Sequence, residues 1–592
     1  MASLKMLVRR RSTAVDQYIQ RMKQSNSAGA SGGGDVKTLR SQLHTRRVEL
    51  NTEIEKEDRI ADGSRRLLGA TRNTHTKNQA ALEMSFSESK IKGLQSELGK
   101  INSSLSAYQA PGCDATQVPI IPLAFKATHK ICFEASFRKI AAAHYHIDPA
   151  TIQEAIQTFQ ELRNSVSAVP RTEEGLRTLL EYNSQLKHAS KRFIHPKLSH
   201  GLSFTWYDAI NGRPYQQQTA VFERACVLFN VAALYSQLAA KVDRESQGLT
   251  KAVDLLEKAA GMFEYVRDKF SQAPSPDLST EMLSMLADLM RAQAQELVCD
   301  SVHVGSEHID HAHKAKCVAD CYAPVREFME RSEVKGYLPD CWVMLVKIKE
   351  AHYKALSHYH AAMAHWTVAN VLSDGGSISE ELRTDLHFLY IQSPPELNDN
   401  LSSVHIGLVQ RHLNCATLSH EFALKFHSLC RDLHHIEPLA KMLAEASEIT
   451  SSQMAEATQL TGDTLILPSL QASGIAVHSQ PPNMLSVRVP DLFRVLGPLP
   501  LFSADHQWSP PRSVRLDNTI QSLGLSIRKC RPVLVSQVEG GGAAEAAGVR
   551  AGDWIMSVNR ESIVYSTHEQ AVEIIKSNTE SDTLVLDICT PK

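Results

Sequence analysis

The sequence predicts a multidomain chain: an antiparallel helical coiled-coil hairpin over 35–110, a large all-α body over 115–465 and a small β-rich domain over 512–592. Three observations predict it. Apolar residues in the first region recur at alternating three- and four-residue steps, as a heptad seam requires. Helical periodicity follows in one segment after another through the second. Short β-branched runs separated by Gly-containing turns replace it in the third. At 592 residues the chain is also too long for a single core.

Composition narrows the function classes. Hydrophobic residues make up 43% of the chain, enough for globular cores, and a net charge of -2 gives no overall pull toward nucleic acid. The first 34 residues carry six Lys/Arg against one Asp, and "SNSAGASGGG" (25–34) reads as a flexible linker behind them. The triplet Arg9–Arg11 beside Leu4, Met6, Leu7 and Val8 implies a solvated tail with at most peripheral membrane contact. The start lacks the apolar stretch of a secretory signal, and no run of about 18 apolar residues occurs. The 11 cysteines are spread singly, which suits a reducing, cytoplasmic setting. Cys317 and Cys321, the one close pair, read as small packing residues on a helix.

From Val36 the chain turns helical, with Leu39, Leu43, Leu50 and Ile54 on one stripe between Arg46, Arg47, Glu53 and Glu55. A second helix carries Ile91, Leu94, Leu98, Ile101, Leu105 and Tyr108. A connection near 72–80 would fold the two into an antiparallel hairpin. Three prolines and a glycine in "YQAPGCDATQVPIIPL" end that unit. In the body, 222–242 and 248–270 form a helical pair rich in Ala and Gly, the small-residue contacts of tetratricopeptide-like pairs. Past Leu467 the texture becomes Pro-rich, and 466–511 reads as an extended linker. "LGLSIR", "VLVSQV", "DWIMSVN" and "TLVLDIC" then predict strands, with one helix opening at His568.

"SLGLSI" (522–527), "AAGVRAGDWIMSVN" (546–559) and "STHEQAV" (566–572) resemble the PDZ domain at three places in the right order. The resemblance implies that the turn Ser522–Leu523–Gly524–Leu525 aims backbone N–H groups at a terminal carboxylate. Gly524 would let the ligand approach closely. The ligand would add as a strand beside 524–528, with the helix as its other wall. His568 would then accept from a Ser or Thr hydroxyl of a Ser/Thr-x-hydrophobic C terminus, while Val572, Ile575 and Leu523 hold its last side chain. Two departures from the pattern are Asn518, where a Lys or Arg often stands, and Arg560, where Gly is common.

"IEKEDRIADGSRRLLGAT" (54–71) resembles the Rho-binding coiled coil of Rho effectors, through Ile-x-Lys-Glu-x-Arg spacing followed by Gly63, Leu67, Ala70 and Thr71. The resemblance implies an outer face that reads the nucleotide-ordered switch regions of a GTP-loaded Rho protein, with Arg46, Arg47, Leu50, Lys56 and Arg59 as candidates. A purely dimerising or intramolecular hairpin is the alternative. "IPLAFKATHKICFEASFRKIAAAHY", "GLSFTWYDAINGRPYQQQTAVFERACVLFNVAALYSQLA" and "LMRAQAQE" resemble the Bro domain, an all-α adaptor module that in some members binds ESCRT-III proteins. These modules in this order resemble the rhophilins over about 35–592. The implied function is a scaffold joining GTP-bound Rho to cytoskeletal partners. An endosomal-sorting adaptor working through Bro–ESCRT-III contact is the second reading, with partner-driven recruitment to membranes or endosomes.

An enzyme finds no support among the motifs. The chain has 26 histidines, but "EHIDHAHKAKC" sets Glu307, His308 and His311 on one helical face without His-Glu-x-x-His or Cys/His zinc spacing. There is no phosphate loop and no Gly-x-Ser-x-Gly elbow. No catalytic, cofactor-binding or metal-ligating residues are therefore expected.

Overall fold

A computed structural model of the chain describes residues 39–102, 118–198, 201–244, 246–270, 272, 274–300, 307–395, 397, 401–434, 436–459, 469–473, 477–483, 489–499, 502–517, 523–578 and 583–591. The leader 1–34, Leu105 and Tyr108 of the expected seam, Asn518, and Ser522 of the expected carboxylate turn lie outside the described residues. The chain divides into two compact units, one of Met1–Ala127, Trp206–Tyr215 and Phe229–Pro482, the other of Thr128–Thr205, Gln216–Leu228 and Asn483–Lys592. Among the described residues no helix is long and apolar enough to cross a membrane.

In the first unit, α1 (Leu39–Ala70) and α2 (Thr74–Asn102) are joined by three residues. The Asn73 side chain accepts from His75 N at 2.9 Å, taking up one of the amide donors that a helix start leaves unmatched. The two helices run antiparallel: Arg46 meets Glu97 at 2.8 Å, Glu57 meets Lys90, and Ser64 meets Glu83 at 3.4 Å, so one number rises as the other falls. Leu50, Ile54 and Ala61 of α1 and Ala80, Ile91, Leu94, Leu98 and Ile101 of α2 are buried, which is the three-four spacing at work.

Helices make up most of the rest of the described part of this unit: α7 (Ser246–Lys269), α8 (Thr280–Asp300), α9 (His308–Met329), α10 (Asp340–Ser373), α11 (Glu380–Phe388), α12 (Ser402–Leu429) and α13 (Glu437–Ala457) follow α6 (Ala220–Lys241), which begins in the second unit's stretch of chain. Its interior is not uniformly apolar. Lys349 donates to both oxygens of Glu296 at 2.7 Å, and Tyr322 donates to the same carboxylate, all three groups being buried. A chain of rings also threads α10 and α12. His358 Nδ1 faces His412 Nδ1 at 3.0 Å, and His412 Nε2 lies 2.9 Å from Tyr390 Oη. Tyr390 Oη is 2.6 Å from His365 Nε2, whose Nδ1 is 3.0 Å from His405 Nδ1.

The second unit contains α3 (Glu134–Ala143), α4 (Gln153–Val166) and α5 (Glu173–Arg192), packed around Phe133, Phe137, Phe159, Phe193 and Phe493. Arg163 pairs with Glu223 at 2.6 Å, and Tyr182 donates to the same carboxylate at 2.9 Å. The stretch 466–511 is closely held where it is described. In the first unit Gln480 N donates to Glu257 O at 3.1 Å. In the second, buried Arg192 binds Asp491 at 2.6 Å and Gly497 O at 2.7 Å.

The terminal domain is a sheet of β3 (Arg512–Asp517), β4 (Leu525–Arg528), β5 (Leu534–Val538), β6 (Trp554–Val558), β7 (Glu561–Ser562) and β8 (Thr583–Cys589). The strands numbered β1 (Phe204–Tyr207) and β2 (Pro214–Gln217) lie earlier, flanking a turn. The order in the terminal sheet is β3-β8-β6-β5-β4, with β7 pairing β6, and every pairing is antiparallel. Alternation puts Leu516, Val535, Ile555, Leu584 and Leu586 inside, where Ala571 and Ile575 of the terminal helix meet them. The β6–β7 turn has left-handed backbone at both Asn559 and Arg560 (φ 46° and 70°), a conformation that favours Asn-Gly.

Candidate functional site

The terminal domain leaves one sheet edge beside a helix. Among the described residues β4 pairs on one side alone, with β5, so its other edge has backbone groups arranged for a further strand. Leu523 O accepts from Ala544 N at 3.0 Å and Gly524 O from Glu539 N at 2.8 Å. Because a trans peptide directs its C=O and N–H oppositely, these two bonds turn the N–H groups of Gly524 and Leu525 to the other side. Gly524 sits at φ +66°, and a Cβ there would come 2.9 Å from Gly542 Cα, so the turn needs glycine on both counts.

The wall facing β4 is the terminal helix His568–Ser577. Thr567 accepts from Gln570 N at 3.2 Å while Gln570 Oε1 accepts from Thr567 N at 2.9 Å, a reciprocal cap that sets His568 as the first helical residue. His568, Val572 and Ile575 then fall on one face. His568 and Val572 are half-buried, whereas Ile575 packs into the domain core with Ala571. Leu523, Leu525 and Ile527 on the opposite side are half-buried against the same core. A histidine at a helix start above an apolar strip thus has its ring at the groove's rim.

The hairpin gives a second surface, and part of it is covered. The turn between β1 and β2 meets α1 and α2: Tyr207 Oη donates to Glu55, Arg47 to Ala209 O at 2.9 Å, and Gln95 to Asn211 O at 3.4 Å. Gly212 (φ +71°) sits so close that a Cβ would stand 2.6 Å from both Asn51 Oδ1 and Leu98 Cδ2. Burial and the Glu55 carboxylate push the Tyr207 hydroxyl up. Beneath the turn Asp208 accepts from Ile210 N and Asn211 N at 2.9 Å and from Tyr337 Oη at 2.8 Å. Burial and the neighbouring Asp277 push Asp208 up to about 6, against the pull of Lys126.

The five basic and apolar candidates of α1 consequently separate. Lys56 is exposed, and so is Arg59, which ion-pairs with Glu55. Arg46 is half-buried and held by Glu97 at 2.8 Å and Glu49 at 3.2 Å. Arg47 and Leu50, expected on the outer face, are instead 5% and 0% exposed: one guanidinium nitrogen is bonded to Ala209 O, and the leucine lies in the seam. The contact turn itself was missed, although "YDAINGRP" carries the Asn-Gly signal for a tight turn. What the string cannot say is which surface a turn meets.

Among the described residues no group of three or more His, Cys, Asp or Glu could hold a metal ion. Residues 120–513 match the BRO1-like domain and residues 513–588 the PDZ domain. The first match runs through 466–511. The chain is 32% identical to Rhophilin-1 of Homo sapiens over 562 residues, covering 91% of this chain and 82% of that protein. It is 33% identical to Rhophilin-2 of Homo sapiens over 564 residues, covering 92% and 81%. Among solved structures, ALIX in complex with the SIVmac239 PYKEVTEDL late domain aligns with a TM-score of 0.50 at 20% identity, over 64% of this chain and 52% of that one, a likeness of fold alone. BRO1-like and PDZ domains are interaction modules, and a chain that joins them is a scaffold or adaptor. With both modules in order and this identity over about nine-tenths of its length, the chain belongs to the rhophilin family.

Proposed function

We propose that the chain is a non-catalytic cytoplasmic scaffold whose helical hairpin, read as a Rho-binding coiled coil, recognises a GTP-loaded Rho-family protein and whose terminal groove captures C termini ending in Ser/Thr-x-hydrophobic. The observation that carries this reading is the edge position of β4 beside a helix that opens with His568. A ligand strand adds to β4 through main-chain hydrogen bonds, its carboxylate meets the N–H groups of the 523–525 turn, and its last side chain rests among Leu523, Val572 and the rim of Ile575. The His568 ring accepts the hydroxyl proton. At the other end of the chain, Lys56, Arg59 and the accessible part of Arg46 offer cationic contacts on α1. Joining the two ligands on one chain raises the effective concentration of each for the other's neighbours, linking Rho signalling to cytoskeletal partners.

Two measurements test the reading. The full chain, in which the 206–215 turn holds α1, is titrated against Rho loaded with a non-hydrolysable GTP analogue and against the GDP form. Tighter binding of the GTP form is expected, and equal or absent binding overturns the effector assignment. For the groove, His568→Ala is expected to weaken a Ser/Thr-x-hydrophobic peptide by about 1 kcal/mol, roughly fivefold, through one lost hydrogen bond. The same change should leave a peptide with Ala in place of that Ser or Thr unaffected; loss of both peptides alike would remove His568 from its assigned role.

A further inference from the structure

The outer face of α12 is apolar where water would favour charge. Leu418, Phe422 and Leu429 are 48%, 54% and 62% exposed, and with Lys425 they fall within an arc of about 60° along about 17 Å of helix. The Phe422 ring is held in place: Phe426 stacks on it at 6.4 Å between centroids and 22° between planes, and the Lys347 ammonium stands 5.3 Å from the Phe426 centroid. Glu421 and Lys425 are exposed on the same side of the helix, at a spacing that ordinarily ion-pairs, yet among the described residues neither side chain has an ion-pair partner. A preset aromatic anchor with two unpaired opposite charges beside it has the make-up of an interface core and rim.

We propose that this stripe is a self-association surface, occupied by α12 of a second copy of the chain in antiparallel apposition. The charge order selects that occupant. A two-fold axis passing at the level of Ala423 sets Glu421 opposite the partner's Lys425 and Lys425 opposite the partner's Glu421, so one surface satisfies itself twice, as an isologous contact requires. The same axis brings Leu418 toward the partner's Leu429 and covers both Phe422 rings. The stripe is short compared with the area that a permanent dimer buries, so the association is weak and concentration-dependent.

Sedimentation velocity on the full chain from about 1 µM to about 100 µM is expected to show passage from monomer to dimer, the range suited to a small interface. Phe422→Asp should keep the chain monomeric throughout. Glu421→Lys and Lys425→Glu, each of which sets like charges across the axis, should weaken association at least about tenfold, and the two together should restore it. All three positions are exposed, and circular dichroism checks that the variants keep their helix content. A chain that stays monomeric to about 100 µM overturns the proposal and assigns the stripe to a different protein. A dimer that survives Phe422→Asp overturns it in favour of another surface, and a charge-exchanged pair that fails to recover overturns the antiparallel arrangement.

Discussion

Acidification from about pH 7 to about pH 5.5 is expected to unfold the helical body. Seven histidines there, His352, His358, His360, His365, His405, His412 and His420, are held below their ordinary range, and burial is the first cause in each. His358, His405 and His420 are pushed down to about 4, and His352, His360 and His365 to about 3. Nearby Lys316, Lys349 and Lys354 further oppose a positive ring.

The hydrogen-bond chain explains why neutrality matters. From His358 through His412, Tyr390 and His365 to His405, neutral rings satisfy every contact, each interior group giving one proton and accepting one. A further proton therefore gains no contact within the chain and places a charge among buried rings.

Because the folded-state pKa values lie below that of an unfolded histidine, near 6.5, the unfolded chain binds more protons. Stability is therefore complete above about pH 6.5 and falls as pH drops toward the folded values. Each histidine loses on the order of 1 kcal/mol by about pH 5.5, and seven together lose a sum comparable with the whole stability of a domain, about 5–15 kcal/mol. Far-UV circular dichroism against pH should show the helical signal collapse near this point. A signal unchanged down to about pH 4.5 would overturn the expectation: either the rings titrate at about 6.5 in the folded chain or the stability of the body exceeds what they cost.

The second large effect concerns Glu296. Its carboxylate is 1% exposed and depends on the Lys349 ammonium at 2.7 Å and the Tyr322 hydroxyl. Burial lowers the Lys349 pKa while Glu296 draws it back. Lys349→Met removes the counter-charge without opening a cavity, and leaves a buried carboxylate close to Asp300, which burial and Glu296 already push up to about 6. The expected loss is about 3–5 kcal/mol, read as a lower urea midpoint at unchanged slope. Adding Glu296→Leu should return most of that stability, since an apolar pair of similar volume needs no counter-charge. A single variant as stable as the parent would show that water already reaches the pair.

Much of the architecture follows from local pattern. Ile91, Leu94, Leu98 and Ile101 are buried at the positions their spacing selects, and "LGLSIR", "VLVSQV", "DWIMSVN" and "TLVLDIC" contain β4, β5, β6 and β8. His568 stands at the first helical position because Thr567 and Gln570 form a cap three residues apart, a device written in neighbouring letters.

Periodicity, turn residues and caps act over a few residues and are therefore carried by the amino-acid string. Contacts between segments far apart in the chain are a matter of packing. Arg47 is buried because a turn whose Ala209 lies 162 residues later rests against α1, which nothing near it announces, whereas Leu50 is buried in the seam that its stripe with Ile54 already marks. His358 and His412 meet across 54 residues, and a histidine reads the same in sequence whether its ring is solvated or threaded into a buried chain. Leu418 and Phe422 look like core positions in an amphipathic helix, yet the neighbouring helices cover the opposite face and leave them to water. Local propensity thus sets which elements form, while mutual burial sets which of their faces remain available to a partner.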